Sequence, residues 1–496
     1  MLDFPLISLM LLVLPLGAIL IWIMPANGVR WLALVTSLLS LLFSLAIVFN
    51  FDTSNPGFQF KESMNWIPSL NIFYKVGVDG ISVLFLPASS LLFCAIILLS
   101  WNNTRHLTRL YYSLILLLQA STLGIFSALD TILFFFYWEL TLIPIYFLIS
   151  LWGIGPHRRY AAVKYTLFML AGGIPLLFGF IVLAFNHAEF SNAVIPTGLS
   201  FDYETLLKTK ISLDTQIVVF FLLLFGFAVK TPIFPFHTWL PTIAMEGPIG
   251  ITAFLLGLKL GAFGLIRFVI PLAADAAQLF HWLLAGLGII GMVYGALAAL
   301  AQTNLRRMLA FASISHVGLI VLGIASFNIQ GIQGSVFQLL NFTIVSSGMF
   351  LLAGALQQRT GSTDLVNLGG VAGKMPLLAS FFFLFAIASM GIPGTNGFIA
   401  ELLLLISVLN THTGAGLAAL VGVVLSAAYL VNFYKKAFLG PVKNAIITEC
   451  QDLKPRELSI FLLFAIIILV TGFYPQLILE VITSSTEQWL SGIKTP

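Results

Sequence analysis

The chain has 496 residues, of which 59% are hydrophobic and only 8% are charged. Soluble domains average about 45–50% apolar and about 25% charged residues, so this composition excludes a soluble protein and indicates a membrane protein with many spans. The formal net charge is only +4 and the basic residues are scattered along the chain, which excludes the clustered basic face that a nucleic-acid-binding protein needs.

Fourteen apolar segments are long enough to cross a bilayer when the sequence is scanned in windows of about 20 residues. The first segment lacks a basic n-region and a small-residue cleavage site, so we expect a membrane helix there rather than a signal peptide. The polar stretches between segments are too short for a soluble domain, and we therefore predict one all-α polytopic membrane domain over residues 1–496. The predicted spans are 4–24, 31–50, 79–100, 108–127, 131–152, 162–185, 214–236, 249–270, 280–300, 308–326, 333–356, 376–408, 414–438 and 457–480.

The distribution of basic residues predicts how the chain is oriented. The loops after odd-numbered spans contain fifteen Lys and Arg residues, Arg105 among them, and the other loops with the C-terminus contain six, Lys494 among them. Because cytoplasmic loops carry the excess of basic residues, we expect both termini on the non-cytoplasmic side, in the periplasm or a lumen.

Two of the predicted spans are interrupted by helix-breaking residues. Pro232 and Pro235 lie in the seventh span, and the sequence Gly-Ile-Pro-Gly at 391–394 lies in the twelfth. A proline removes a backbone donor and collides with the carbonyl four residues earlier, so a regular helix cannot continue. The interruptions are five spans apart, so the two helices cross in opposite directions. This is typical of inverted repeats with ion sites beside discontinuous helices; the alternative is a pair of ordinary proline kinks.

Four ionisable residues lie inside apolar segments, where a charge costs roughly 2.5–3.5 kcal/mol on insertion scales and is rarely kept without a function. They are Glu139, Lys230, Lys259 and Glu401. Burial disfavours the charged form of such groups and a nearby opposite charge favours it, so the four residues predict a path for protons. A Glu139–Lys230 pair would hold the lysine charged until the carboxylate moved away. The alternative is a static ion pair that joins two helices.

Lys259 and two histidines extend this predicted path. Lys259 has no charged partner in its own span and is expected to relay protons on a hydrated path. His316 is expected to connect that path to Glu401, because an ordinary pKa of about 6.5 suits a group that takes and passes protons. The alternative for His316 is a hydrogen-bonded structural role. His237 follows the seventh-span interruption, where it would either lie at a channel mouth or cap the broken helix.

The sequence contains no motif that would hold a cofactor or a metal ion. The GxGxxG pattern at 286–291 lies inside the ninth span and lacks the strand–turn–helix context of a dinucleotide site; small residues there favour close helix packing. Cys94 and Cys450 form neither a disulfide framework nor a metal-binding pattern. We therefore expect no nucleotide, iron–sulfur cluster, haem or metal in this chain.

Five segments around these residues, taken together and in this order, resemble the antiporter-like membrane subunits of respiratory complex I, over about residues 75 to 440. The segments are WELTLIPIYFLISLWG at Glu139, FAVKTPIFPFHTWLP at Lys230, GLKLGAFGLIRF at Lys259, NLRRMLAFASISHVGL at His316 and GIPGTNGFIAEL at Glu401.

The resemblance implies fourteen helices, with inverted repeats of five helices at about 108–270 and about 280–438. It also implies that the chain is a proton-translocating subunit of a quinone-reducing enzyme and contains no redox centre itself. Quinone, iron–sulfur clusters and the electron donor would be bound by other subunits. The partners of this chain would be neighbouring membrane subunits and the lipid bilayer.

Glu401 resembles the NuoM/NdhD branch of that family, since the NuoL, NuoN and Mrp cation-antiporter branches usually have lysine there. The segment that starts at Trp138 is most similar to NdhD of cyanobacteria and chloroplasts, which implies a photosynthetic thylakoid complex that takes electrons from ferredoxin and reduces plastoquinone. Thr242, Ala244 and Asn341 replace polar residues that many relatives carry, as expected of a paralogue specialised for CO2 uptake. An Mrp-type sodium/proton antiporter subunit and a non-pumping scaffold subunit remain alternatives.

Overall fold

The N-terminal part of the chain forms four helices and a β-hairpin. The computed structural model describes residues 5–102, 104 and 106–494, so Phe4 at the start of the first predicted span and Arg105 of a predicted cytoplasmic loop lie outside the described residues. The elements are α1 (Leu6–Ile23), α2 (Val29–Phe49), β1 (Gln59–Ile67), β2 (Ile72–Val78), α3 (Phe85–Ser100) and α4 (Thr108–Ser127), with a 3₁₀ turn at Pro68–Leu70 between the strands.

The hairpin departs from the all-α expectation. β1 and β2 pair antiparallel, with Gln59 opposite Val78 and Ile67 opposite Ile72. A two-stranded hairpin is marginal alone in water, and this one packs on α1, α4 and α5 (Thr131–Leu140). Tertiary packing therefore stabilises strands for which the polar stretch 51–78 gave no clear signal.

The middle of the chain contains the first predicted interruption. After α5, the structure has α6 (Leu142–Trp152), α7 (Arg158–Phe190), α8 (Tyr203–Lys208), α9 (Leu213–Lys230) and α10 (Trp239–Glu246). α9 ends two residues before Pro232, and irregular backbone separates it from α10, as the prolines predict. α5 and α6 form a single span that bends at Thr141.

The eighth span is also interrupted, which the sequence analysis did not predict. α11 (Ile249–Gly257) is followed by extended Leu258, and α12 (Leu260–Gly264) begins after Lys259. A π-helical turn at Leu265–Val269 then leads into α13 (Ile270–Leu272) and α14 (Ala274–Leu279). The break contains no proline; Gly257 and Gly261 flank it, and glycine is the weakest helix former after proline.

The second half of the chain contains the second predicted interruption. Its helices are α15 (His281–Leu300), α16 (Leu305–Ala325), α17 (Ile329–Thr360), α18 (Pro376–Ser389), α19 (Asn396–Thr411), α20 (Thr413–Ala437), α21 (Ala445–Glu449), α22 (Pro455–Phe473) and α23 (Gln476–Lys494), with a 3₁₀ turn at Val371–Gly373. Between α18 and α19 the chain has positive φ at Gly391 (64°) and Gly394 (90°), a conformation that glycine adopts without steric cost.

The predicted number of spans is confirmed. Twelve helices of the described residues are long and apolar enough to cross a membrane, and α3 and the two halves α18 and α19 supply the third and twelfth predicted spans. The fourteenth span was predicted to reach residue 480, but its helix ends at Phe473. Pro475 lacks a backbone donor, and the chain continues as the separate helix α23.

The core of the molecule is formed by α4, α11–α13, α16 and α17, whose apolar stretches are almost completely buried. The peripheral helices α1, α2, α20 and α22 expose many Leu, Ile, Val and Phe side chains. Such an exposed apolar surface suits lipid rather than water. The predicted functional residues therefore lie on, or packed against, helices that lipid does not reach.

Candidate functional site

Lys230 lies at the end of α9, and its side chain is 7% exposed. Nζ donates to Oγ1 of Thr141 at 2.9 Å and to the carbonyl oxygen of Trp138 at 3.3 Å. It also lies 3.9 Å from the centre of the Trp138 ring, where the ring face attracts a cation. The contacts of the amine are therefore with neutral groups at the α5–α6 bend.

Glu139 comes from the same bend but faces another helix. Its Oε1 is buried and has no hydrogen-bond partner among the described residues. It lies against Gly173 of α7, at a place that a Cβ on Gly173 would occupy. The described residues contain no direct ion pair between Glu139 and Lys230, so the expected pair is separated in this structure.

Lys259 lies in the interruption of the eighth span, 4% exposed. Nζ donates to the carbonyl oxygen of Leu255 at 3.1 Å, and no acidic side chain of the described residues forms an ion pair with it. Two residues later, Gly261 packs directly on Thr231 and on the carbonyl of Phe227. The interruptions after Lys230 and at Lys259 are therefore in contact with each other.

His316 and Glu401 meet in the second half of the molecule, as the sequence predicts. Nδ1 of His316 lies 3.4 Å from Oε1 of Glu401, and the two side chains are 6% and 5% exposed. The other ring nitrogen, Nε2, lies 3.3 Å from the hydroxyl of Tyr429 and 3.4 Å from Oγ of Ser389. The sequence analysis missed both hydroxyl groups, because nothing local marks a tyrosine or serine in an apolar helix as a partner of a distant histidine.

Glu401 also depends on the interruption of the twelfth span. Its carboxylate lies against Gly391, where a Cβ would collide with Oε2. Gly391 has a φ of 64°, so both the backbone conformation and the close contact require glycine.

His237 is buried (4% exposed) between two aromatic rings, Phe234 at 5.6 Å and Tyr294 at 5.0 Å. Its Nδ1 has no hydrogen-bond partner among the described residues. The N-cap of the helix that follows, α10, is Thr238, whose side chain makes no cap hydrogen bond, and the carbonyl oxygen of His237 accepts from the N–H of Leu240 at 3.0 Å. Tyr294 belongs to α15, and His237 therefore lies where the two halves of the chain meet.

Further polar groups lie near this set that the sequence analysis did not select. Nζ of Lys164 donates to the carbonyl of Thr238 and to Oγ1 of Thr242, each at 2.9 Å. Thr242, one of the departures from the family pattern, is thus a partner of a half-buried lysine. Asn341, another departure, receives no hydrogen bond on its Oδ1 from the described residues.

The geometry places ionisable side chains in two groups, one around Lys230 and Lys259 and one around His316 and Glu401. These four residues are buried, and Lys230, Lys259 and Glu401 lie at or beside interrupted helices, where unpaired backbone dipoles can stabilise a changing charge. Among the described residues no three His, Cys, Asp or Glu side chains form a metal-binding group. Proton exchange is the chemistry that these groups share.

Comparisons with a family model and with individual relatives agree on one family. Residues 128–426 match the family described as NADH:quinone oxidoreductase/Mrp antiporter, TM. The chain is 34% identical to NADH-quinone oxidoreductase subunit M of Rickettsia felis, over 99% of both chains. It is 35% identical to NAD(P)H-quinone oxidoreductase chain 4 1 of Synechococcus sp. (strain JA-2-3B'a(2-13)), over 96% of this chain and 90% of the relative.

Solved structures show the same architecture. A chain of respiratory complex I from Thermus thermophilus superposes with a TM-score of 0.89 at 28% identity, over 99% of this chain and 100% of that one. A chain of the Mrp complex from Dietzia sp. DQ12-45-1b superposes with a TM-score of 0.83 at 22% identity, over 97% of this chain and 52% of that one, which shows a shared fold. With one family model covering most of the chain and relatives aligned over nearly its full length, the chain belongs to the NADH:quinone oxidoreductase/Mrp antiporter family, as an antiporter-like subunit of the NuoM/NdhD type.

Proposed function

We propose that this chain translocates protons as a membrane subunit of a quinone-reducing complex of the complex I type. The observation that carries the proposal is the location of Lys230, Lys259 and Glu401 at or beside interruptions of buried helices. Charges at membrane depth persist where they serve transport. The names of the relatives, subunits of NADH- and NAD(P)H-quinone oxidoreductases, support the same function.

Glu139 and Lys230 would act as a switch. In this structure the carboxylate lies on Gly173 and the amine on Thr141 and Trp138. Movement of the carboxylate towards Lys230 would favour the ammonium form, and its return would release the proton. Moving one charge against 100 mV costs about 2.3 kcal/mol, which is comparable with rearranging one or two buried hydrogen bonds.

Lys259, His316 and Glu401 would carry the proton onward. Lys259 adjoins the Lys230 interruption, and His316 contacts Glu401. His237 lies where the two halves of the chain meet and would form the mouth of the proton path. The group around Lys230 and Lys259 belongs to an inverted repeat at about 108–270, and the group around His316 and Glu401 belongs to one at about 280–438. We propose these two repeats as the two transport units.

Proton pumping in membrane vesicles tests the proposal, with quinone reduction followed in parallel. Lys259→Ala and Glu401→Gln should abolish or strongly reduce pumping while the complex still assembles. Lys210→Ala, at an exposed lysine, is the matched control and should pump as wild type. Normal pumping by both variants would make the chain a scaffold, and pumping that required sodium ions would favour the Mrp-type antiporter.

A narrower proposal concerns the electron donor and the quinone. We infer a thylakoid complex that takes electrons from ferredoxin and reduces plastoquinone, supported by the segment at Trp138 and by the identity with the Synechococcus relative. The chain has a similar sequence identity to the Rickettsia relative. The experiment must therefore exclude an ordinary bacterial complex. Purification of the complex from its native membrane, followed by assays with reduced ferredoxin and with NADH, separates the two.

A still narrower proposal is that the chain belongs to the variant of the complex that serves CO2 uptake. It depends on Thr242, Ala244 and Asn341, which replace polar residues of many relatives. Deletion of the gene should then slow growth at low CO2 more than at high CO2. Equal growth of the deletion strain and the wild type at low CO2 would exclude this variant and leave the pumping proposal intact.

A further inference from the structure

Two arginines lie where the ends of α2, α3 and α22 meet, on the face of the molecule opposite the chain termini. Arg30 stands in the first turn of α2, and Arg456 stands in the first turn of α22. Nη2 of Arg30 donates to the carbonyl oxygen of Thr104 at 3.2 Å, and the guanidinium carbon of Arg456 lies 5.7 Å from the centre of the Trp101 ring. Because Trp101 and Thr104 directly follow α3, the end of this helix brings the two arginines together.

Most hydrogen-bond donors of these two guanidinium groups have no partner among the described residues. A guanidinium group has five N–H donors; the side chain of Arg30 makes one hydrogen bond, and that of Arg456 makes none. The Nε atoms are buried, whereas Nη1 of Arg30 and both terminal nitrogens of Arg456 reach the surface. Unused donors of both arginines are therefore accessible to a bound group.

The positive charge of this pair is not balanced by an acid. No acidic side chain of the described residues forms an ion pair with Arg30 or Arg456. Glu457 follows Arg456 in the chain, but its carboxylate is paired with Arg359. Arg109, another basic residue, lies nearby and donates to the carbonyl oxygen at the end of α1. The group therefore favours a ligand with negative charge.

Tryptophan side chains show the depth of this group in the membrane. Trp22 lies in the last turn of α1 and is 55% exposed, and Trp31 lies in the first turn of α2 and is 62% exposed. The ring of Trp31 packs edge-on against that of Trp101, with 4.9 Å between the centroids. Tryptophan is enriched at the level of the lipid head groups. The arginines therefore lie at the depth of the lipid phosphates.

An apolar surface continues from the arginines towards the centre of the bilayer. Trp31, Val35, Leu38 and Leu42 of α2 are all exposed. They are spaced by three and four residues, so they lie on one face of the helix. Such a surface suits acyl chains rather than water, and it begins one residue after Arg30.

We propose that Arg30 and Arg456 bind the phosphate of an anionic phospholipid whose acyl chains lie along the exposed face of α2. Guanidinium groups form strong charge-assisted hydrogen bonds with phosphate oxygens, and basic groups between membrane helices bind such head groups. A zwitterionic phospholipid would place its own cation beside the arginines, where no acidic side chain receives it. This proposal does not depend on the transport of protons.

Photolabelling of the protein, purified with the subunits that it assembles with, tests this proposal. The probes are phosphatidylglycerol and phosphatidylcholine, each with a diazirine in an acyl chain and each added in trace amounts to phosphatidylcholine nanodiscs. Mass spectrometry measures the label on residues 31–42 relative to that on residues 417–431, another exposed apolar segment. Each arginine near a membrane surface contributes about a fivefold preference for anionic lipid. The ratio should therefore be at least about tenfold higher for phosphatidylglycerol.

Two results with the wild-type protein would overturn the proposal. Equal ratios for the two probes would mean that the arginines only orient the chain in the membrane. Loss of the phosphatidylglycerol label when inorganic phosphate replaces chloride at the same ionic strength would indicate a site for a soluble anion. Neither comparison requires a variant.

Variants assign the preference to the two arginines. Arg30→Gln and Arg456→Gln should each lower the ratio for phosphatidylglycerol about fivefold, and the double variant should show the same ratio for both probes. Arg159→Gln is the matched control, because it removes an exposed arginine at the start of α7 on the same face of the membrane. It should leave the ratio unchanged. A double variant that kept the wild-type ratio, or an equal fall in the control, would contradict the assignment.

Discussion

The carboxylate of Glu139 occupies a space that only glycine at position 173 leaves open. Its unpartnered Oε1 is the mobile atom of the proposed switch, since nothing in the described residues holds it by a hydrogen bond. The role of Gly173 is therefore to leave this volume free. Replacing Gly173 tests the switch without changing Glu139 itself.

Gly173→Ala should displace the Glu139 carboxylate. Added volume in a packed site costs about 1–3 kcal/mol, which corresponds to a fall of about 5- to 160-fold in the pumping rate if the strain acts on the switch. The rate in vesicles is the measurement. Gly286→Ala is the control, because no atom lies within 4 Å of its Cβ position; equal rates for the two variants would contradict the prediction.

The hydroxyl of Tyr429 should tune the His316–Glu401 contact. Tyr429→Phe removes one of the two hydroxyl groups at Nε2, and loss of a buried hydrogen bond costs about 1 kcal/mol or more. We expect pumping several-fold slower, with normal assembly. Tyr434→Phe removes a hydroxyl that bonds the carbonyl of Ala379, outside this cluster, and should have no effect on pumping.

At the scale of elements, the π-helical turn at Leu265–Val269 is held by three other parts of the chain. Arg267 forms a buried two-bond ion pair with Asp79, including Nη1 to Oδ2 at 2.8 Å. Tyr203 donates to the carbonyl of Arg267 at 2.6 Å, and Trp489 donates to that of Ile266 at 2.8 Å. These partners satisfy carbonyls within the turn and hold the helix that follows Lys259.

Asp79→Asn should destabilise the protein by about 3–5 kcal/mol, because it leaves the Arg267 guanidinium buried without its counter-ion. The double variant Asp79→Leu/Arg267→Met should recover most of that loss, since apolar replacement of a buried pair is often neutral. Thermal unfolding of the purified protein measures both. Lys61→Ala, in a more exposed pair with Glu204, should cost at most about 1 kcal/mol.

The hairpin is attached to α8 by charged side chains outside the membrane. Lys75 contacts Asp202 at 2.5 Å and Glu204 at 3.1 Å, and Lys61 contacts Glu204 at 2.6 Å. Burial lowers the pKa of Lys75, but the two acids outweigh burial and leave that pKa above its ordinary 10.5. Burial likewise raises the pKa of Glu204, but the two lysines outweigh it and leave that pKa below 4.5.

These pKa shifts predict the pH range over which the hairpin stays attached. The contribution of Glu204 is present above about pH 4.5 and is lost as the pH falls through its lowered pKa, whereas that of Lys75 is lost as the pH rises above about 10.5. Hydrogen-exchange protection factors of β1 and β2 should therefore fall as the pH drops below the acid limit and as it rises above the basic limit. Glu204→Gln should weaken the acid limb, which Asp202 then sustains alone through Lys75; an unchanged acid limb would contradict the prediction.

At the scale of the whole molecule, we propose that both termini lie on the non-cytoplasmic side. Cysteines placed at exposed positions test this: Lys443→Cys before α21 and Gln488→Cys on α23, with Cys450 replaced by serine. In sealed membrane vesicles whose cytoplasmic face is outside, a membrane-impermeant maleimide should label Lys443→Cys, and it should label Gln488→Cys only after permeabilisation. The opposite pattern would reverse the orientation.

Much of the architecture is predictable because its signals are local. Hydropathy marks the spans, and Pro232 and the glycines at 391 and 394 mark two interruptions. The interruption at Lys259 carries no proline and was missed. It appears where Gly257 and Gly261 pack against side chains from distant parts of the chain, Ser347 and Thr231.

The sequence predicts which residues form the site but not how their side chains are arranged. A charge inside an apolar segment is costly and is rarely kept without a function, so Glu139, Lys230, Lys259 and Glu401 stand out in the sequence. Whether Glu139 faces Lys230 or Gly173 depends on the rotation of packed helices, which no local pattern encodes.

By itself the sequence determined the membrane class, the number of spans, the family and the identity of the buried ionisable residues, because each follows from composition, hydropathy or short motifs. Only the tertiary structure decided the separation of Glu139 from Lys230 and the hydroxyl of Tyr429 beside His316. The physical reason is that these features arise where faces of helices distant in sequence come together, and the side chains on those faces meet only after the helices pack.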